Sequence, residues 1–159
     1  MTASKIQQFG NGTLVKLPKD DKIILVGGCF DILHFGHLYF LQKAKALGGV
    51  VVVALESDEF ITTYKKRKPT HNQNQRAAIL SHLDLVDMII LLPFFHSHEE
   101  YNHMVELIKP DIIAVTKGDT QLENKKKQAL TVGGKVAEIE VLKQFSSSNI
   151  IRYETISSY

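Results

Sequence analysis

Short, nearly pure apolar runs separated by amphipathic stretches limit what this chain can fold into more than any other feature. Ile23 to Val26 is the first run, closed by Gly27-Gly28, and Val50 to Leu55 is the second, rich in β-branched residues. Val86 to Leu92 is the third, stopped by Pro93, Asp111 to Val115 the fourth, led in by Pro110, and Val136 to Leu142 the fifth. Runs of this length without strict alternation suit strands covered on both faces, as parallel strands are.

The intervening stretches carry helical spacing. Phe40, Leu41, Ala44 and Leu47 fall on one face, and Gly48-Gly49 supplies a stop. Asn72 and Gln75 have the spacing of a capping box, followed by Arg76, Ile79, Leu80 and Leu83 on one predicted face. Further helices are predicted over Ser97 to Lys109, Gln121 to Thr131 and Ser146 to Thr155. Strand followed by helix, repeated along the chain, predicts an α/β protein. It is a single doubly wound, Rossmann-like domain over residues 22–159, with a five-stranded, mainly parallel sheet. Ligands of such sheets sit beyond the carboxyl ends of the strands, where the strand order reverses. Residues 1–21 read as an N-terminal extension, in which Asn11-Gly12 between Ile6-Phe9 and Leu14-Leu17 suits a hairpin, with a mobile arm or a dimer contact as equal alternatives.

Composition narrows the function. In 159 residues, 19 Lys plus Arg against 17 Asp plus Glu leave a formal charge of only +2, too little to point to nucleic acid or a membrane surface. Cys29 is the single cysteine, so no internal disulfide or cysteine-built metal site is expected, which suits a reducing compartment. No apolar run approaches the ~20 residues of a spanning helix, and Met1 to Asp21 lacks the apolar centre of a secretory leader. A cytoplasmic location is expected.

The chemistry concentrates in the segment Gly27-Gly28-Cys29-Phe30-Asp31-Ile32-Leu33-His34-Phe35-Gly36-His37, between the first predicted strand and the first helix. Gly28 and Gly36 let backbone approach a ligand, and a helix N-terminus favours an anionic phosphate. His34 and His37 flank Gly36 at a spacing that lets both imidazoles face one pocket, where they can donate to phosphate oxygens as charge develops.

This segment resembles the G-x-F-D-x-x-H-x-G-H motif of the cytidylyltransferase-like nucleotidyltransferase superfamily, and Gly28, Phe30, Asp31, His34, Gly36 and His37 match every fixed position. Within that superfamily the chain is similar to the sugar-phosphate and alditol-phosphate branch, with heptose-1-phosphate adenylyltransferase domains first and glycerol-3-phosphate cytidylyltransferases next. The resemblance implies transfer of AMP or CMP from ATP or CTP to a phosphorylated small molecule, with release of pyrophosphate. It further implies Mg²⁺ carried by the triphosphate rather than a metal site of the protein, and a homodimer. His34, His37 and Lys65 become the expected catalytic residues, with Gly28, Cys29, Phe30, Asp31 and Gly36 around the nucleotide. In Lys65-Lys66-Arg67-Lys68-Pro69 the resemblance marks Lys65 and Arg67 as phosphate contacts. Arg76 matches a family arginine, but the acid that usually stands two residues before it is Asn74 here. Ser57-Asp58-Glu59 resembles the family's second strand-to-helix turn. Gly118 and Asp119 belong to a turn one residue longer than the family's, where Asp119 could equally cap a helix. Ser146, Ser147 and Ser148 stand where the family receives the triphosphate on Ser-Thr-Thr hydroxyls.

Other classes compete. Cys29, Asp31 and His34 lie close enough in sequence for a thiol enzyme, although a lone cysteine after a strand is more often a small buried residue. A non-catalytic nucleotide-binding module would use the same fold. His96, His98 and His103 raise the option of a metal site, against the plainer reading of a polar loop and helix start.

Overall fold

The computed structural model describes residues 4–10, 16–17 and 21–142. The element order is β1 (Ile6–Gln8), β2 (Ile23–Gly28), α1 (Phe35–Lys45), β3 (Val50–Leu55), α2 (Asp58–Lys65), α3 (Gln73–Ser81), β4 (Met88–Leu91), α4 (His98–Ile108), β5 (Ile112–Thr116), α5 (Leu122–Thr131) and β6 (Lys135–Ile139). The strands form one sheet in the order β1-β4-β3-β2-β5-β6, and every pairing is parallel.

The expected parallel α/β sheet is present, with six strands rather than five. The sixth is β1, from the N-terminal extension, paired with β4 in the register Ile6↔Ile89 to Gln8↔Leu91. Ile6–Gln8 is therefore an edge strand of the sheet. The hairpin expected around Asn11-Gly12 lies largely outside the described residues. Where the chain is described again, the Lys16 backbone meets the Gln7 side chain, its N–H donating to Oε1 at 2.8 Å and its carbonyl accepting from Nε2 at 3.2 Å. The final helix expected over Ser146 to Thr155 also lies outside the described residues.

Although the strand runs lack polar alternation, their side chains still alternate between two apolar layers. Ile24, Val26, Val51, Val53 and Leu55 pack with Leu41 and Ala44 of α1 and Ala77 and Leu80 of α3. Ile23, Leu25, Val52 and Ala54 pack with Met104, Val105 and Ile108 of α4 and Ala129 of α5. Burial of apolar surface on both faces is what continuous β-branched runs make available. The α3 face differs from its prediction: Ala77 is buried beside Arg76 and Leu80, while Ile79 is exposed. The Asn72–Gln75 capping box is formed, with Gln75 N–H donating to Asn72 Oδ1 at 2.9 Å and Asn72 N–H donating to Gln75 Oε1 at 3.0 Å. Gly49 is required by crowding, because a Cβ there would stand 2.3 Å from the Lys22 carbonyl oxygen.

Chain order runs β2, β3, β4 to one side and then returns to β5 and β6 on the other side of β2. The reversal at β2 places the glycine- and histidine-bearing turn at the topological switch point.

Candidate active site

The turn after β2 is shaped by Phe30. Its φ is +47°, a region that non-glycine residues seldom occupy and that costs of order 1–3 kcal/mol. This turn folds the Phe30 ring back into the core, where it is 5% exposed. A Cβ on Gly28 would stand 3.0 Å from Phe30 Cε2, so the space left by that glycine is filled by the ring. The other side of the ring supports His37, with centroids 5.1 Å apart. Phe30 and Gly28 thus act through packing, by seating a histidine.

His34 is the N-cap residue of α1 and His37 lies in its first turn. Their rings stack at 3.9 Å between centroids with 26° between planes. Burial lowers the pKa of His34. His37 is lowered to about 4, mainly by burial and then by the neighbouring His34, with the Ile32 backbone offsetting part of the effect. Both imidazoles are therefore neutral near pH 7, and each offers one N–H donor and one lone pair. Stacked together, they stand in the turn and first helical residues that follow β2.

Asp31 is engaged within the protein. It is 3% exposed and takes Thr70 N–H at 2.9 Å and His71 N–H at 3.1 Å on Oδ1, with Arg67 Nη1 paired to Oδ2. Burial pushes its carboxyl up, but the Arg67 hydrogen bond and the two peptide donors outweigh this and leave it below the usual carboxylate value. Asp31 fastens the basic loop to the β2–α1 turn. Arg67 keeps partial exposure beside it.

Arg76 is engaged within the protein as well. Its guanidinium is wholly buried and spent on protein: Nε donates to the His71 carbonyl at 3.1 Å, Nη1 to the Cys29 carbonyl at 2.6 Å, and Nη2 to Asp58 Oδ1 at 2.7 Å. It is a tie between segments rather than a surface clamp for phosphate. The carboxylate missing at Asn74 is supplied from α2 by Asp58.

Lys65, the last residue of α2, is exposed and has no ion pair among the described residues. Gly118 has φ +83°, and Asp119 Oδ1 accepts from Gln121 N–H at 2.7 Å while Oδ2 pairs with Lys125 at 2.6 Å. The N-cap of α5 is Gln121, so Asp119 lies two residues before the cap and holds its N–H. Ser146, Ser147 and Ser148 lie outside the described residues.

Burial pushes the Cys29 thiol up to about 11, with Glu56 adding to the effect and Lys65, Arg76 and Arg67 opposing it. A thiol so rarely ionised is a poor nucleophile, which argues against the thiol-enzyme reading. The His96 ring packs edge-on against Phe94 at 4.8 Å, and His103 lines an open groove of about 420 Å³ with Phe9, Pro93, Phe95, Glu99 and Glu100. Among the described residues no group of His, Cys, Asp and Glu side chains converges as a metal cage. No helix among them is long and apolar enough to cross a membrane.

Two residues near the site escaped the sequence reading. Glu56 directly follows β3, is 8% exposed, and accepts a hydrogen bond from Tyr101 Oη at 3.0 Å. An acid at the carboxyl end of a buried parallel strand was the available signal for Glu56. Nothing in the α4 sequence marked Tyr101.

Comparison with known proteins agrees with this geometry: the sequence pattern described as cytidylyltransferase-like matches residues 25–158. The chain belongs to the cytidylyltransferase-like family of nucleotidyltransferases. Among curated cytidylyltransferase-like relatives, it is 36% identical over 147 residues to the bifunctional protein HldE of Helicobacter hepaticus, covering 92% of this chain and 29% of that protein. It is 34% identical over 141 residues to the HldE of Citrifermentans bemidjiense, covering 87% of this chain and 28% of that one. The chain thus spans under a third of the length of these relatives. Among solved structures, it is similar to the lipopolysaccharide core biosynthesis protein of Thermoplasma volcanium, with a TM-score of 0.62, 28% identity, and coverage of 76% of this chain and 96% of that one. Pantoate-beta-alanine ligase of Francisella tularensis shares the fold at a TM-score of 0.56 and 19% identity, covering 91% of this chain and 73% of that one.

Proposed function

We propose that this chain transfers a nucleoside monophosphate from a nucleoside triphosphate to a phosphorylated sugar or alditol and releases pyrophosphate. ATP is the first-choice donor, CTP the second, and a heptose 1-phosphate the first-choice acceptor. The observation that carries the reading is the stacked pair His34 and His37 at the switch point of the sheet. The similarity to HldE proteins and to a lipopolysaccharide core biosynthesis protein supports a sugar-phosphate acceptor.

The reaction is an in-line displacement. An acceptor phosphate oxygen forms a bond to the α-phosphorus as the bond from that phosphorus to the α,β-bridging oxygen breaks, and the electron pair leaves with pyrophosphate. His34 and His37 donate to oxygens on the α-phosphate and the leaving group, where charge builds. Lys65 and Arg67 approach the outer phosphates, and Ser146, Ser147 and Ser148 add hydroxyl donors. Mg²⁺ carried with the triphosphate would neutralise part of its charge.

The test is pyrophosphate release by the purified chain with ATP and CTP against a panel of sugar and alditol phosphates. Acceptor-dependent release is expected. Nucleotide binding without release under any pairing would favour the non-catalytic module instead.

A further inference from the structure

Glu56 is a buried carboxyl with half of its hydrogen-bonding capacity unused. Its Oε1 accepts from Tyr101 Oη, while its Oε2 is buried without a hydrogen-bond partner. Its backbone is fixed at the mouth of the sheet, with N–H donating to the Gly28 carbonyl at 3.0 Å. Its side chain therefore stands between β3 and α4, next to the segment that carries the histidine pair. Leaving a carboxylate oxygen dry and unpaired is costly, so buried polar atoms without partners call for a ligand or an ion.

The surrounding charge indicates what kind. Lys125 and Arg76 act on Glu56, and Lys65, Arg76 and Arg67 act on the adjacent Cys29. Arg76, Arg67 and Lys125 are paired with Asp58, Asp31 and Asp119, which leaves Lys65 as the cation here without an ion pair among the described residues. A ligand with a phosphate for Lys65 and a neutral hydroxyl for Glu56 satisfies both. Burial pushes the Glu56 carboxyl up to about 7, with the Tyr101 hydrogen bond opposing it, which agrees with a group still short of a partner.

We infer that Glu56, held by Tyr101, is a specificity residue that accepts a hydrogen bond from a hydroxyl of the phosphorylated acceptor. This rests on the proposed nucleotidyl transfer and names the acceptor class within it as a polyol phosphate with a free hydroxyl near the reacting phosphate. A site built to bond a hydroxyl discriminates strongly against an analogue that lacks it, because the buried carboxyl is then left unpaired.

The experiment is steady-state kinetics of the full chain and Glu56→Gln with the best acceptor and its monodeoxy analogues. For Glu56→Gln, kcat/KM for the acceptor is expected to fall about tenfold or more while the triphosphate KM holds. One monodeoxy analogue should lose a similar factor in the parent chain but little in Glu56→Gln, because the two changes remove the same bond. Tyr101→Phe, which leaves the carboxyl present but unheld, should fall between the two. Unchanged acceptor kinetics in Glu56→Gln, or losses from variant and analogue that simply multiply, would overturn this inference while leaving nucleotidyl transfer intact. Absence of transfer to every acceptor by the parent chain would overturn both.

Discussion

At the residue scale, the site separates into side chains that face the mouth of the sheet and side chains that hold them. The proximity of His34 and His37 was legible because a three-residue spacing around a glycine, at a strand-to-helix turn, leaves few other arrangements. The roles of Asp31 and Arg76 were not, because their partners come from other segments: Arg67, Thr70 and His71 for one, Asp58 and two carbonyls for the other. Glu56 was overlooked because an acid after a strand reads as the start of a solvated loop. It carries a pH prediction. Its pKa is raised from 4.5 to about 7 in the folded chain, so between those values the folded state holds a proton that the unfolded state has lost. Its contribution to stability is complete below the unfolded value and disappears as pH rises through about 7. His37, lowered from 6.5 to about 4, has the opposite slope, with stability rising with pH between those values, and its effect cancels when variant and parent are compared. Glu56→Gln should gain on the parent by roughly 3 kcal/mol between acidic and mildly alkaline pH. Urea unfolding at about pH 5 and about pH 8 checks this, and parallel profiles would contradict it.

At the element scale, the apolar runs identified the five strands from β2 to β6, and their ends moved by a few residues. Val86 to Leu92 became Met88–Leu91, and Val136 to Leu142 became Lys135–Ile139. β1 was legible only as one arm of a possible hairpin, and its parallel pairing with β4 was not, because three residues, two of them glutamine, carry little strand signal and suit an edge. α3 shows where helical spacing misleads. Arg76 shares its buried side with Ala77 and Leu80, since the guanidinium has partners in three segments and needs no water. Arg76→Ala should therefore cost about 3 kcal/mol, because it removes a buried cation and strips donors from the Cys29 and His71 carbonyls. Arg76→Lys should recover only part of this, as one ammonium cannot span three directions. Denaturant midpoints measure both, and a loss in Arg76→Ala under about 1 kcal/mol would contradict the tie.

At the scale of the whole molecule, the parallel order and the reversal at β2 bring separate segments to one end of the sheet: the β2–α1 turn with its histidines, Glu56 after β3, Lys65 at the end of α2 with Arg67 in the loop that follows, and the β5–α5 turn. Alternating runs were enough to read this architecture, whose switch point holds the stacked pair His34 and His37. The central claim is that His34 and His37 act on the α-phosphorus in the transition state. The most direct test is single-turnover transfer of α-³²P from the triphosphate to the acceptor, comparing the parent chain with His37→Ala at saturating nucleotide. The account predicts a rate at least ~100-fold lower in the variant, the typical cost of one lost transition-state donor, with triphosphate affinity changed far less. Equal transfer rates in the two proteins would contradict it.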